Sequence, residues 1–227
     1  MQCSNLWMMT GKAKKRKYIP IGEVYNRLAA DSVSSLLPFH ALTGCDVTSY
    51  ISNHTKQTAW KVFKDHHALL NNLGVGTFTE ETCKSAETFV CRIYNVAQTD
   101  SIDEARHIMF YKFAQPEVLP PTSDALRFHL MRVHYQSMIW KNAHCATPEL
   151  PSVDTMGWKR CEGGLEPILM SLSPIPSACL EIISCSCKKQ CVNLRCKCRK
   201  NGLHCTAACG CNQHLNVEQS PCLNRPI

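Results

Sequence analysis

The chain contains no run approaching the roughly 20 consecutive apolar residues that a membrane-spanning helix requires, so no membrane association is expected. Its most apolar stretch, Leu165 to Ile183, is broken by Glu166, Glu181 and three prolines. Residues Met1 to Thr10 lack the basic start and long apolar core of a secretory signal, which leaves the cytosol or nucleus as the expected compartment. Acidic residues are scarce at the start: only Glu23 and Asp31 precede Asp46. A two-metal hydrolytic site needs several converging carboxylates, and that stretch cannot supply them. There is no low-complexity tract, and no internal repeat beyond a recurring Cys-x-Cys spacing.

What remains is a 227-residue chain with room for one or two domains. A hydrophobic content of 44% is enough for a buried core. The net charge of +7 and pI near 8.7 are compatible with a polyanionic partner.

Cysteine is the residue in excess, sixteen in all, and nine of them crowd between Cys185 and Cys222. They read Cys185-x-Cys187-x3-Cys191-x4-Cys196-x-Cys198-x6-Cys205-x3-Cys209-x-Cys211, with Cys222 after a gap. Three Cys-x-Cys pairs do not suit disulfides, because side chains two apart bridge only with strain and nine is odd. Thiolates converging on a small volume suit zinc, which takes four sulfurs in a tetrahedron. Three zinc ions need twelve bonds, and nine thiolates supply twelve if three of them bridge two metals each. Nine negative charges against six positive leave such a cluster anionic, and Lys188, Lys189, Arg195, Lys197, Arg199 and Lys200 are interleaved among the ligands. The other seven cysteines, Cys3, Cys45, Cys83, Cys91, Cys145, Cys161 and Cys179, are scattered and read as buried apolar residues.

The spacing from Cys185 onward resembles the tesmin-type CXC domain, a cysteine-rich DNA-binding module. The resemblance implies a cluster of about three Zn2+ ions on Cys185, Cys187, Cys191, Cys196, Cys198, Cys205, Cys209, Cys211 and Cys222. It also implies DNA as the partner, with Lys188, Lys189, Arg195, Lys197, Arg199 and Lys200 at the phosphates, and a nuclear location. Family members end in Cys-x-Asn after a short spacer, and two endings fit here: His214 with Asn216, or Cys222 with Asn224. An imidazole nitrogen has one lone pair, so His214 would serve only as a terminal ligand. Where DNA-binding members carry a groove-inserting tyrosine, this chain has Arg195, itself a common minor-groove probe. If the basic residues only balance the cluster charge, the module is instead a zinc-structured knob for a protein partner.

Ahead of the cluster the pattern is helical. The spacing predicts a short helix over Ile21 to Ala30, then one capped by Asp31 or Ser32 through Ala41, and another over Lys56 to Leu70. Thr77 with Glu80 and Ser101 with Glu104 read as capping boxes. Ser123 or Asp124 reads as the cap of a long helix to about Ala143, with the stripe Leu126, Leu130, Val133, Ile139 and Trp140. His129 and His134, about 140° apart around that helix, read as core or surface residues and not as a metal pair. The basic run Lys12 to Lys17 fits a nuclear-import signal or an exposed turn pairing Leu6–Met9 with Tyr18–Ile21 as a hairpin.

Leu42-Thr43-Gly44-Cys45-Asp46 resembles the Gly-Cys-Asp element of flap-endonuclease and PIN-like nucleases. In that family a helix-hairpin motif follows, with two glycines and an alanine at fixed offsets. Ala59 matches, while Asn53 and Thr55 occupy the glycine positions. The order Tyr18-Ile19-Pro20-Ile21, Leu37 to Asp46, Ala59-Trp60-Lys61-Val62, Tyr135-Gln136, Ile139-Trp140, Gly157-Trp158 and then the cysteine-rich segment resembles the C-terminal part of transposon-derived reading frames of animal genomes, which implies a mobile-element origin. With its carboxylate cluster incomplete, the chain is expected not to be an enzyme; a nuclease subunit using Asp46 is the alternative.

The expected fold is mainly α. A helical region, residues 1–147 with a short β-hairpin, could be the end of a PIN-like fold. A Pro/Gly/Ser-rich linker over 148–182, resting on the helices through Trp158, leads to a small irregular zinc-cluster module over 183–225.

Overall fold

The computed structural model describes residues 6–113, 118–172, 184–188, 191–205, 209–213 and 222–224. The chain divides into two compact units, meeting at residues 171 and 172. The first is mainly helical with two short antiparallel hairpins, and the second is the cysteine-rich segment.

The first unit opens on the expected hairpin, β1 (Trp7–Thr10) against β2 (Lys17–Pro20), with Trp7 opposite Pro20 and Met9 opposite Tyr18. Helix α1 (Ile21–Arg27) is shorter than the expected helix to Ala30. The next helix does not start at Asp31 or Ser32. Residues Ala30–Ser35 form a tight 3-10 turn, in which the Ser32 hydroxyl donates to Ala29 O instead of accepting from the helix, and α2 (Leu36–Leu42) follows. Helix α3 (Lys56–His66) is closed at its start by a reciprocal box between Thr55 and Thr58.

Helix α4 (Glu80–Ile93) is capped by Thr79, which accepts from Thr82 N, and not by Thr77. Helix α5 (Ile102–Phe113) begins with Ser101 Oγ accepting from Glu104 N at 3.4 Å. The Glu104 carboxylate closes on the Thr99 hydroxyl at 2.6 Å, so the box is shared with Thr99. Helix α6 (Ser123–Lys141) is capped by Thr122, one residue before the expected cap. In all three cases the sequence offered two or three oxygens within a turn, and packing of the following helix chose among them.

The core gathers on α2, α3, α4 and α6. Phe39, Phe63 and Phe89 meet there, with Phe39 to Phe63 centroids at 4.7 Å, and Trp60 stacks on Phe63 at 5.0 Å. From α6, Leu126, Leu130 and Val133 enter this core, while Ile139 and Trp140 are half-buried. The same helix also buries Arg132, His134 and Ser137. His134 accepts from Gly74 N at Nδ1 (3.0 Å) and donates from Nε2 to Gly76 O (3.1 Å), which fixes the neutral tautomer. Arg132 donates to Gly157 O at 3.1 Å and to Ile168 O at 2.5 Å, with Trp158 beside the guanidinium.

Those Arg132 contacts hold the described part of the 148–182 stretch against α6. The described part of the 148–182 stretch is not a plain linker. Residues 148–171 belong to the first unit and form a hairpin, β3 (Trp158–Cys161) with β4 (Gly164–Pro167), tied down at its base by Arg132. Of the scattered cysteines, Cys83 and Cys91 are buried as expected, Cys45 is half-buried, and Cys145 and Cys161 are exposed. Cys3 and Cys179 lie outside the described residues.

The buried histidines predict an acid limit. His129, which bonds Leu42 O through Nε2 at 3.1 Å, is pushed down to about 4 by desolvation, and burial also lowers His134. A histidine with a depressed folded pKa binds its proton in the unfolded chain first. The stability is therefore complete above about pH 6.5 and drains as pH falls toward 4. For His129 the loss is on the order of 3 kcal/mol at most, since its ring edge keeps some solvent contact. Acid titration by near-ultraviolet circular dichroism should show the wild type losing its aromatic signal in this window, and His129→Gln should flatten the slope. Equal slopes would remove His129 as the cause.

Candidate metal centre

In the second unit the elements are single turns: α7 (Lys197–Lys200) and α8 (Gly210–Gln213). Their length follows from the spacing, since each Cys-x-Cys must turn two sulfurs inward within one helical turn. Cys196 starts α7 as its cap, with Sγ accepting from Arg199 N at 3.5 Å, and Cys198 two residues on is fully buried. Cys209 immediately precedes α8 and Cys211 lies within it, and both are buried.

The interior is sulfur. Cys185, Cys191, Cys196, Cys198, Cys205, Cys209, Cys211 and Cys222 are all buried, joined by half-buried Cys187 and Leu203. Among the described residues the larger apolar side chains apart from Leu203 point out: Val192, Leu194 and Leu223 are all more than half exposed. Among the described residues no disulfide forms. Sulfur pairs instead stand at 3.8 Å (Cys185–Cys191 and Cys185–Cys211), 3.9 Å (Cys196–Cys205), 4.0 Å (Cys185–Cys205) and 3.6 Å (Cys198–Cys209). Four sulfurs about 2.3 Å from one zinc lie about 3.8 Å apart, so these spacings suit a tetrahedral site.

Three groups of four have mutually close sulfurs: Cys185, Cys187, Cys191, Cys196; Cys185, Cys196, Cys198, Cys205; and Cys185, Cys191, Cys205, Cys211. Each group can hold a metal ion. Cys209 and Cys222 stand outside these groups but inside the cluster: Cys209 Sγ is 3.6 Å from Cys198 Sγ and accepts from Cys185 N at 3.4 Å. Cys222 is buried among the same thiols, in hydrogen-bond contact with Cys191 and Cys211. Asn224 locks this end. Its amide donates to Leu203 O (2.8 Å) and Cys205 Sγ (3.4 Å), and its carbonyl accepts from Cys205 N at 2.6 Å. His214 lies outside the described residues.

Burial also governs the thiol chemistry. Desolvation pushes Cys205 up to about 11 and raises Cys191, Cys198 and Cys211 as well. Without a cation these groups stay protonated, and a metal must displace their protons to bind. Metal affinity should therefore rise with pH.

The basic residues divide. Arg199 is exposed, but its guanidinium donates to Cys191 O at 3.2 Å, so it braces the backbone of the cluster. Lys188, Arg195, Lys197 and Lys200 are exposed, and Lys189 lies outside the described residues. Arg195 and Lys197 line an open groove of about 400 Å³, together with Ser184, Ser186, Cys187 and Gly210.

In the first unit, Asp46 is exposed on the loop after α2 and belongs to none of the candidate metal groups among the described residues, all of which are cysteine. Asn53 adopts the left-handed backbone (φ 61°), whereas Thr55 is extended and caps α3. Comparison with protein-family models, with curated proteins and with solved structures gives no match for this chain. The sulfur geometry therefore stands alone as the basis for a functional reading.

Proposed function

We propose that Cys185–Asn224 is a zinc-organised DNA-binding module holding three Zn2+ ions, acting in the nucleus. The observation that carries it is the overlap of the three sulfur groups. The first and second share Cys196, the first and third Cys191, and the second and third Cys205. Each of these three thiolates would bridge two ions. Cys185 falls in all three groups, but a thiolate bridging two metals is saturated, so it is assigned with its neighbour Cys187 to the first ion. Cys198 with Cys209, and Cys211 with Cys222, would complete the other two. Two bridging and two terminal sulfurs per ion satisfy each tetrahedron. The resemblance to the tesmin-type CXC pattern supports the same count, and the separate resemblance to transposon-derived reading frames makes a mobile-element origin part of the proposal.

DNA is the proposed partner because the groove beside the cluster offers Arg195 and Lys197 with two serine hydroxyls, and Lys188 and Lys200 are exposed in the same unit. Binding should fall steeply with salt. Elemental analysis of the reduced full chain should give about three zinc ions, and Cys222→Ala should give fewer while His214→Ala leaves the content unchanged. The reverse result would make His214 the last ligand. A DNA titration at two salt concentrations tests the partner: Arg195→Ala with Lys197→Ala should lower affinity and flatten the salt slope by about two. No loss would favour the second reading, a zinc-structured protein-interaction module, to which exposed Val192, Leu194 and Leu223 lend some support. A nuclease subunit built on Asp46 gains no support, since no described carboxylates gather around that residue.

A further inference from the structure

The β1–β2 hairpin carries a surface that the zinc reading does not use. Directly opposed residues of an antiparallel pair share a face, so Trp7, Met9, Tyr18 and Pro20 lie together on one side. Trp7 is 54% exposed, Met9 59% and Tyr18 59%. Trp7 and Tyr18 are diagonal neighbours, within reach of one another. The turn that follows and the first residue of β2 hold Lys12, Lys14, Lys15, Arg16 and Lys17, all exposed. No carboxylate occurs from residue 6 to residue 22, and Glu23 is paired with Arg27 at 3.6 Å. Among the described residues none of the five cations enters an ion pair. Five like charges in six residues repel one another, and a polyanion relieves that repulsion.

We propose that this hairpin binds single-stranded polynucleotide, with Trp7 and Tyr18 stacking on unpaired bases and the Lys12–Lys17 turn holding the flanking phosphates. Rings beside a cationic track are the general arrangement for sequence-tolerant single-strand binding. A duplex already stacks its bases and offers no free face to a ring. A membrane fits poorly. A hairpin that enters a bilayer needs an apolar tip, whereas here the tip is the charged part and the rings sit on the stem near α1. The surface lies in the first unit and does not depend on the zinc cluster.

The test is fluorescence anisotropy with the full zinc-loaded chain and labelled dT20 and U20, which separate DNA from RNA as the strand source. Trp7→Ala and Tyr18→Ala should each weaken binding roughly tenfold or more. Trp7→Phe and Tyr18→Phe should keep most of it, which a purely structural role of the hairpin would not distinguish. With five phosphate contacts, affinity should drop about a hundredfold between 50 and 200 mM salt, and Lys14→Glu with Lys15→Glu should shrink that drop. Binding should survive a chelator. If single-strand binding vanishes with the zinc, the cluster holds the strand and the hairpin assignment is wrong. Alanine variants that bind like the wild type would overturn it too. So would capture of phosphatidylserine vesicles without oligonucleotide binding, or self-association through the hairpin seen by light scattering.

Discussion

A chelator strong enough to strip zinc should unfold residues 185–224 and leave the helical unit intact. Among its described residues the second unit has almost no conventional core: beyond the cysteines only Leu203 packs inward, while Val192, Leu194 and Leu223 face solvent. Burial of one leucine contributes about 2 kcal/mol, far below the ordering entropy of some forty residues at about 1 kcal/mol or more each. Structural zinc contributes about 10 kcal/mol or more per site in small modules. If the unit holds the proposed zinc ions, its folding and its metal binding should be one event. Hydrogen exchange should show protection of Leu203, Cys205 and Gly210 amides lost on chelation and restored by zinc. Protection in α4 and α6, whose apolar side chains pack in the first unit, should not change. Persistence of protection in a chain shown to be zinc-free would mean that sulfur packing alone holds the unit, and the three-ion proposal would fall with it.

The second large effect is expected at Gly74. Its φ is +74°, and a Cβ there would lie 2.4 Å from Ser137 Cβ and 2.9 Å from Ser137 C, on the backbone of α6. The helix cannot give, so Gly74→Ala must lift the loop. That motion breaks the Gly74 N–H bond to His134 Nδ1 and the His134 Nε2 bond to Gly76 O. His134 is fully buried, so both nitrogens lose their partners. Two unsatisfied buried groups at about 1–3 kcal/mol each, with left-handed strain of about 1 kcal/mol, bring the loss to roughly 4 kcal/mol or more. That is a large share of the 5–15 kcal/mol typical of a domain. Gly76 is the control. It is also left-handed (φ +57°), but a Cβ there meets nothing within 4 Å, so Gly76→Ala should cost only the backbone strain of about 1 kcal/mol. Denaturant titration of both variants should separate them clearly. Equal losses would show that the loop does not rest on α6 as the contacts imply.

These two predictions rest on different kinds of information. The cysteine spacing alone pointed to a metal site, because closely spaced Cys-x-Cys pairs, a local pattern, suit tetrahedral sulfur ligation and do not suit disulfides. The hairpin at the start and the helical stripe Leu126, Leu130 and Val133 were legible for the same reason: strand pairing across a short turn and helical periodicity are local. The Thr55 cap of α3 was not legible in the sequence, where Thr55 falls at a glycine position of the helix-hairpin motif. Tertiary structure decided what depended on distant partners. Thr79 and Thr122 took the caps from Thr77 and Ser123 because helix packing fixed where each first turn could begin. His134 and Arg132 are buried because loops 60 and 25 residues away supply their hydrogen bonds, through Gly74 and Gly157. The β3–β4 hairpin sits where a linker was expected because Arg132 draws its base onto α6. Cys222 joins the thiols because Asn224 pairs with Leu203 and Cys205 across a gap that the sequence leaves open. Local geometry is written in residue order, whereas the satisfaction of a buried polar group is settled only when the chain has closed around it.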